Sequence, residues 1–189
     1  MESSKASRFF DRVDQREFAA CQAINRSLRF RPIQGYFRVV SKLGDGWLWY
    51  ALILMLPLIH PEKGLATALL MVSTGILCTL AYKGLKRWLV RERPFISFPS
   101  INCGSPPLDR YSFPSGHTLH AVCFNTVLAE QVPELALMLL PFTISVAVSR
   151  VILGLHYPSD VVAGAAIGAS LAMISVTGLS ATFFTLFAA

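Results

Sequence analysis

Apolar residues fall in five runs along the chain, at residues 46–60, 64–82, 117–130, 135–150 and 161–187. The stretches between them are polar and often basic. Runs this apolar point to helices crossing a bilayer. The run at 64–82 is long enough to cross, and the one at 161–187 is the longest. The run at 46–60 covers about 22 Å of a hydrocarbon core about 30 Å thick. It is therefore expected to rely on snorkelling or local thinning. The two runs at 117–130 and 135–150 are short as well, and are expected to extend past their apolar limits and pack inside a bundle.

Residues 1–45 read differently. Phe18, Cys21, Ile24 and Leu28 recur at helical spacing, which suits an amphipathic helix on a membrane surface or packed against the protein. Two short helices are expected here, with a break marked by Pro32 and Gly35. The charges of Arg26, Arg29 and Arg31 argue against a span in this segment. The opening residues lack the apolar core of a secretory signal, and no lipidation motif or internal repeat is visible. The expected architecture is a single all-α domain over 1–189, a polytopic membrane helical bundle. An interfacial segment (1–45) precedes a transmembrane catalytic bundle (46–189) of about five helices, or six.

Composition supports this reading. Hydrophobic residues make up 53% of the chain and charged residues 15%, with mean hydropathy +0.52. Soluble domains carry about 25% charge, and disordered or collagen-like chains are excluded outright. The four cysteines (Cys21, Cys78, Cys103, Cys123) have no CxxC spacing, so neither a disulfide framework nor a zinc site is expected. The net charge of +6 is distributed unevenly. If all five runs cross, one side holds nine Lys and Arg in 1–45, six in 83–114, and Arg150. The other side holds Lys63. The positive-inside rule then puts the N-terminus and the 94–114 loop in the cytoplasm. That loop, rich in Pro, Gly and Ser, is a connector or a lid.

Three polar clusters open toward that same side. Lys86 and Arg93 lie seven residues apart in Lys86–Pro94, close to one helix side, where two cations can clamp a tetrahedral anion. A juxtamembrane basic anchor would look similar, and Arg87, Arg91 and Arg110 suit solvated or lipid-anchoring charge, or selection of anionic heads. Pro114-Ser115-Gly116-His117 opens an apolar helix. Helix N-termini offer unpaired N–H groups, Ser115 a hydroxyl, Gly116 close backbone approach and His117 a proton; an ordinary N-cap is the plain alternative. In Ser149–Asp160, Asp160 follows His156 by four residues, so one carboxylate can orient one imidazole. Both would otherwise simply be solvated at a helix entrance. Together the clusters supply three cations, two imidazoles and one carboxylate. Such a charge set suits a phosphate and repels a metal ion, and no HExxH is present.

The clusters, written K-x6-RP, PSGH and SR-x5-H-x3-D, resemble the signature of the type 2 phosphatidic acid phosphatase superfamily over about 75 residues, in family order. The resemblance implies a metal- and cofactor-independent phosphatase of the bacterial lipid phosphatase branch, in the bacterial inner membrane. Its substrate would be a lipid phosphomonoester or pyrophosphate such as phosphatidate, phosphatidylglycerol phosphate or a polyprenyl (pyro)phosphate. It implies His156 as nucleophile, Asp160 as its orienting partner and His117 as general acid. Lys86, Arg93, Ser115, Gly116 and Arg150 would bind the phosphate. Many bacterial relatives have six spans and a periplasmic site, whereas five runs and the charge asymmetry predict a cytoplasmic one here. The partners expected are the lipid phosphate and the bilayer, with no nucleic acid. Rival readings are a phosphotransferase on the same site, a non-catalytic lipid-binding or transport protein, and a haloperoxidase. The last is disfavoured because vanadate enzymes of the superfamily are soluble.

Overall fold

Prolines and apolar runs set the helix boundaries. In the computed structural model the backbone is described for residues 5–187, with side chains at Phe10 and over 12–179. The first four residues of the N-terminal segment, and the side chains of the last run beyond residue 179, lie outside the described residues. Eight α-helices are described: α1 (Lys5–Asn25), α2 (Arg31–Lys42), α3 (Leu48–Ile59), α4 (Gly64–Trp88), α5 (Pro94–Ser97), α6 (Gly116–Gln131), α7 (Pro133–Ile152) and α8 (Pro158–Phe187). Pro32, Pro94, Pro133 and Pro158 all lie in first turns, where the missing N–H costs nothing and the fixed φ favours entry into the helix.

The break expected at Pro32 and Gly35 lies earlier. A 3-10 turn at Arg26–Arg29 and an extended Phe30 separate α1 from α2; Pro32 starts α2, and Gly35 sits within it. A π-helical turn, Leu43–Trp47, then joins α2 directly to α3. The apolar run at 46–60 is thus the second half of one helical segment, Arg31–Ile59, of 29 residues. Gly46, with φ of 131°, kinks this segment between α2 and α3, and Arg38 of α2 donates to the Gly104 carbonyl of the 94–114 loop. Arg31 sits at the segment's outer end, where a long cation can reach the headgroups.

Among the described residues, four segments are long and apolar enough to cross a membrane: Arg31–Ile59, Gly64–Trp88, Pro133–Ile152 and Pro158–Leu179. The shorter α6 lies among them against α4, α7 and α8. Leu119, Val127 and Leu128 of α6 are fully buried with Leu70, Met71 and Trp49, and Leu58, Met138 and Ile174 turn outward as a lipid-facing surface would. Close packing of α6 on α8 depends on small residues. A Cβ at Gly168 would stand 2.2 Å from the Leu119 carbonyl oxygen, and one at Gly164 2.6 Å from that of Ser115. These contacts seat the start of α8 beside the start of α6.

Of the two settings open to α1, the structure adopts packing against the protein. Cys21 is buried with Ile101, Val151 and Tyr157, and Phe18 stacks on Phe98 at 4.4 Å between centroids. All four cysteines are free.

Candidate active site

The helix ends described above meet at one end of the bundle. The last turns of α4 and α7 and the first turns of α6 and α8, with the connectors that hold Arg93 and His156, bring the three clusters together. A cavity of about 1130 Å³ is lined by Lys86, Arg93, Gly116, His117, Arg150 and His156. Asp160 stands behind His156. Ser115 is fully buried, its hydroxyl hydrogen-bonded to Thr118 Oγ1 at 3.0 Å, and it does not line the cavity.

His156 lies in the five-residue bend between α7 and α8 and is 2% exposed. Arg93 Nη1 donates toward His156 Nε2 at 3.2 Å. A guanidinium only donates, so Nε2 must carry the lone pair and Nδ1 the proton. Nδ1 faces Asp160 Oδ2 at 3.5 Å. Burial pushes the imidazole down to about 3, with Arg93 and Lys86 adding to the shift and Asp160 opposing it. It is therefore neutral at ordinary pH, with its nucleophilic nitrogen turned toward the cations.

Lys86 and Arg93 converge, but not along one helix side as the spacing suggests: α4 ends at Trp88 and Arg93 lies in extended backbone ahead of α5, and each already holds a carboxylate. Lys86 Nζ donates to both oxygens of Asp109 at 2.7 Å, and Arg93 Nη2 donates to Oδ1 at 2.7 Å. Arg93 also donates to the Asp109 and Leu155 carbonyls. Although partial burial opposes ionisation, these two cations hold the Asp109 carboxyl below its ordinary range. Arg150 differs. It is 2% exposed, its Nε donates to Ser149 Oγ, and Nη2 is buried with no hydrogen-bond partner. A buried cation with an unmade bond at a cavity wall suits an anionic ligand.

Arg91 corrects a sequence expectation. It is 1% exposed, so it is neither solvated nor a lipid anchor. Its guanidinium donates to Asp160 Oδ1 at 2.5 Å, Asp14 Oδ1 at 2.6 Å, Glu17 Oε2 at 2.8 Å and Ser159 Oγ at 2.8 Å. It also lies 4.0 Å above the Tyr157 ring. Burial alone would lower its affinity for a proton, but Asp160 and Asp14 outweigh that and raise it. Asp160 is thus held from behind by Arg91, while the Tyr157 N–H and the Ser112 hydroxyl donate to its Oδ2. Through Asp14 and Glu17, α1 forms the outer wall of this network.

Sequence reasoning missed Asp14, Glu17, Asp109, Ser112 and Asp45, which stands 3.2 Å from His117 Nε2. Only Asp45 had a local signal: an acid bracketed by glycines where an apolar run begins. Among the described residues, no group of three or more His, Cys, Asp or Glu is arranged to hold a metal ion.

The model of the PAP2 superfamily matches residues 63–183. The chain is 35% identical over 153 residues to decaprenylphosphoryl-5-phosphoribose phosphatase of Mycolicibacterium smegmatis, covering 78% of this chain and 81% of that protein. It is 29% identical over 166 residues to lipid A 1-phosphatase of Rhizobium johnstonii, covering 76% and 67%. Among solved structures it resembles Aquifex aeolicus LpxE, with TM-score 0.74, 26% identity and coverage of 85% of this chain and 94% of that one. The transmembrane PAP2-type phosphatidylglycerolphosphate phosphatase of Bacillus subtilis shares the fold, with TM-score 0.69, 23% identity and coverage of 89% and 91%.

Proposed function

The chain belongs to the PAP2 superfamily, and on that premise we propose that it is an integral-membrane phosphatase acting on a lipid phosphomonoester or pyrophosphate through a phosphohistidine. The observation that carries this reading is the convergence of the His156 Nε2 lone pair, the Lys86–Arg93 pair and the unmatched Arg150 donor on one cavity. That cavity continues between apolar side chains, including Trp49, Tyr50, Ile53 and Leu54 of α3 and Ile76 and Leu80 of α4. An acyl or prenyl chain fits such a wall while the phosphate stays at the polar end.

His156 Nε2 attacks phosphorus as the bond to the leaving oxygen breaks. Asp160 keeps the Nδ1 proton in place and balances the charge that the ring acquires. His117 gives its proton to the leaving oxygen, then takes one from the water that cleaves the N–P bond, and inorganic phosphate departs. Lys86, Arg93 and Arg150, with the Gly116 N–H, hold the equatorial oxygens. The Ser115 hydroxyl, now on Thr118, joins them if its rotamer turns. Losing one such fixed donor typically costs about 100- to 1,000-fold in rate. Before phosphate binds, Asp109 has to release Lys86 and Arg93, which gives the 94–114 loop the role of a lid. The single domain 1–189 presents this site to the cytoplasm, as the Lys and Arg asymmetry indicates.

A phosphate-release panel on purified protein tests the reading. It should include phosphatidate, phosphatidylglycerol phosphate, polyprenyl mono- and pyrophosphates and a polyprenyl-linked sugar phosphate, in excess EDTA, with and without an acceptor alcohol. Release from at least one lipid, abolished in His156→Ala while the variant still inserts, is expected. Full turnover by that variant would remove the nucleophile, and transfer to the alcohol in place of release would make the protein a transferase.

A further inference from the structure

The imidazole read above as general acid has a carboxylate of its own, supplied from outside residues 63–183. Asp45 lies in the π-helical turn Leu43–Trp47, and its Oδ1 is 3.2 Å from His117 Nε2. Both residues line the cavity. The turn is shaped around this placement. Gly46 has φ of 131°, a conformation that other residues rarely adopt, and a Cβ there would stand 2.7 Å from the Tyr50 ring. A Cβ at Gly44 would stand 2.7 Å from Val146 Cγ2 on α7. Two glycines thus let the turn close against its neighbours, and the aspartate between them is the side chain presented to the cavity.

We infer that Asp45 is the positioning residue of His117, so that the site contains two His–Asp pairs. The inference rests on the phosphatase reading and deepens it. The Asp45 carboxylate accepts the Nε2–H of His117, leaving Nδ1 as the nitrogen that exchanges a proton. In the first step the N–P bond to His156 forms, the phosphoester bond breaks, and the Nδ1 proton passes to the leaving oxygen. In the second step water forms the new P–O bond, the N–P bond breaks, and the water proton returns to Nδ1. Asp45 takes up no proton. It stabilises the imidazolium that gives up the Nδ1 proton in the first step and re-forms in the second, and it fixes the ring plane throughout. At His156 the same division applies with the nitrogens exchanged: Asp160 faces Nδ1 and Nε2 does the chemistry. Family resemblance in the matched segment supplies His156, Asp160 and His117, whereas the partner of His117 comes from the α2–α3 joint.

A leaving-group comparison separates this role from a structural one. Phosphatidate departs as an alkoxide and needs the acid, whereas p-nitrophenyl phosphate departs as a stable phenolate and does not. In the full chain in detergent, Asp45→Asn is expected to lower kcat/KM for phosphatidate by about 10- to 100-fold, a part of the roughly 100- to 10,000-fold that general acid catalysis supplies, and for the aryl ester by less than about threefold. His117→Ala should show a larger split of the same kind. Asp45→Asn added to His117→Ala should change nothing further, because the carboxylate acts through that ring. Equal losses on both esters, no loss on either, or a full additional loss in the double variant would each overturn the inference. If wild type does not turn over phosphatidate, the lipid that it does turn over in the panel takes that place, and a wild-type protein that releases phosphate from no lipid of the panel would instead overturn the phosphatase reading.

Discussion

Asp109→Ala tests whether a loop carboxylate and the substrate phosphate compete for the same two cations. In the structure Lys86 Nζ holds both Asp109 oxygens at 2.7 Å and Arg93 Nη2 holds one at 2.7 Å. Fully dry bonds of this kind are worth about 1.5–3 kcal/mol each. The Asp109 side chain is 40% exposed, however, so solvent screening brings each ion pair toward the 0.2–1 kcal/mol typical of exposed pairs. Opening both pairs therefore costs about 1–2 kcal/mol, which the substrate has to offset on entry. Removing the carboxylate should lower KM about 5- to 30-fold, at 1.4 kcal/mol per factor of ten. Inhibition by vanadate or inorganic phosphate should tighten by the same factor, with kcat within about threefold of wild type. The Asp109 pKa is lowered, so the latch is complete above the ordinary carboxylate range and is lost only as pH falls through the depressed value. The wild-type contribution to KM should accordingly be flat above about pH 5. Steady-state phosphate release with vanadate titration measures all three. An unchanged or raised KM, with vanadate inhibition unaltered, would refute the competition.

Arg91→Gln leaves the carboxylates of Asp14, Glu17 and Asp160 without their shared cation. Breaking a buried pair from one side costs about 3–5 kcal/mol, so the unfolding midpoint and phosphate release should both fall; unchanged stability would contradict the assigned network. His156 is held down to about 3, so its nucleophilic form is lost only as pH falls through that value. Phosphoenzyme trapped by rapid quench should be as abundant at about pH 5 as at about pH 7, whereas a tenfold drop with an apparent pKa near 6.5, the value of a free histidine, would show that the site is not dry. Cys103 is exposed while Cys21, Cys78 and Cys123 are buried. A membrane-impermeant thiol reagent should therefore label Cys103 in inverted vesicles and spare intact cells, and efficient labelling from outside would reverse the proposed orientation.

The site was legible wherever its chemistry followed chain spacing. The four-residue step from His156 to Asp160 and the lone Arg150 at the end of an apolar run stand out because so short a sequence distance keeps the groups close, even though His156 lies in the bend ahead of α8 and not on the helix with Asp160. Arg91 shows where that relation fails. Two residues from Arg93 in a basic stretch, it looks like surface charge. Its burial depends on carboxylates from α1, 74 and 77 positions away, and no local pattern encodes a meeting at that range. Asp109 is hidden for a related reason: the 94–114 loop has no periodicity, so nothing indicates which of its residues turns inward.

Hydropathy, charge asymmetry and three spaced motifs were enough to establish an all-helical membrane bundle and to nominate the phosphate chemistry. These are properties of composition and of one-dimensional order, which folding does not alter. The continuation of the first apolar run into α2, the setting of α1 and the partners of Lys86, Arg91 and Arg93 were different. They depended on how helices from opposite ends of the chain stack, because a charge in a dry interior takes its partner from whichever backbone packing brings within hydrogen-bonding reach. The meeting of Asp45 with His117 and of Arg91 with Asp160 is of this second kind.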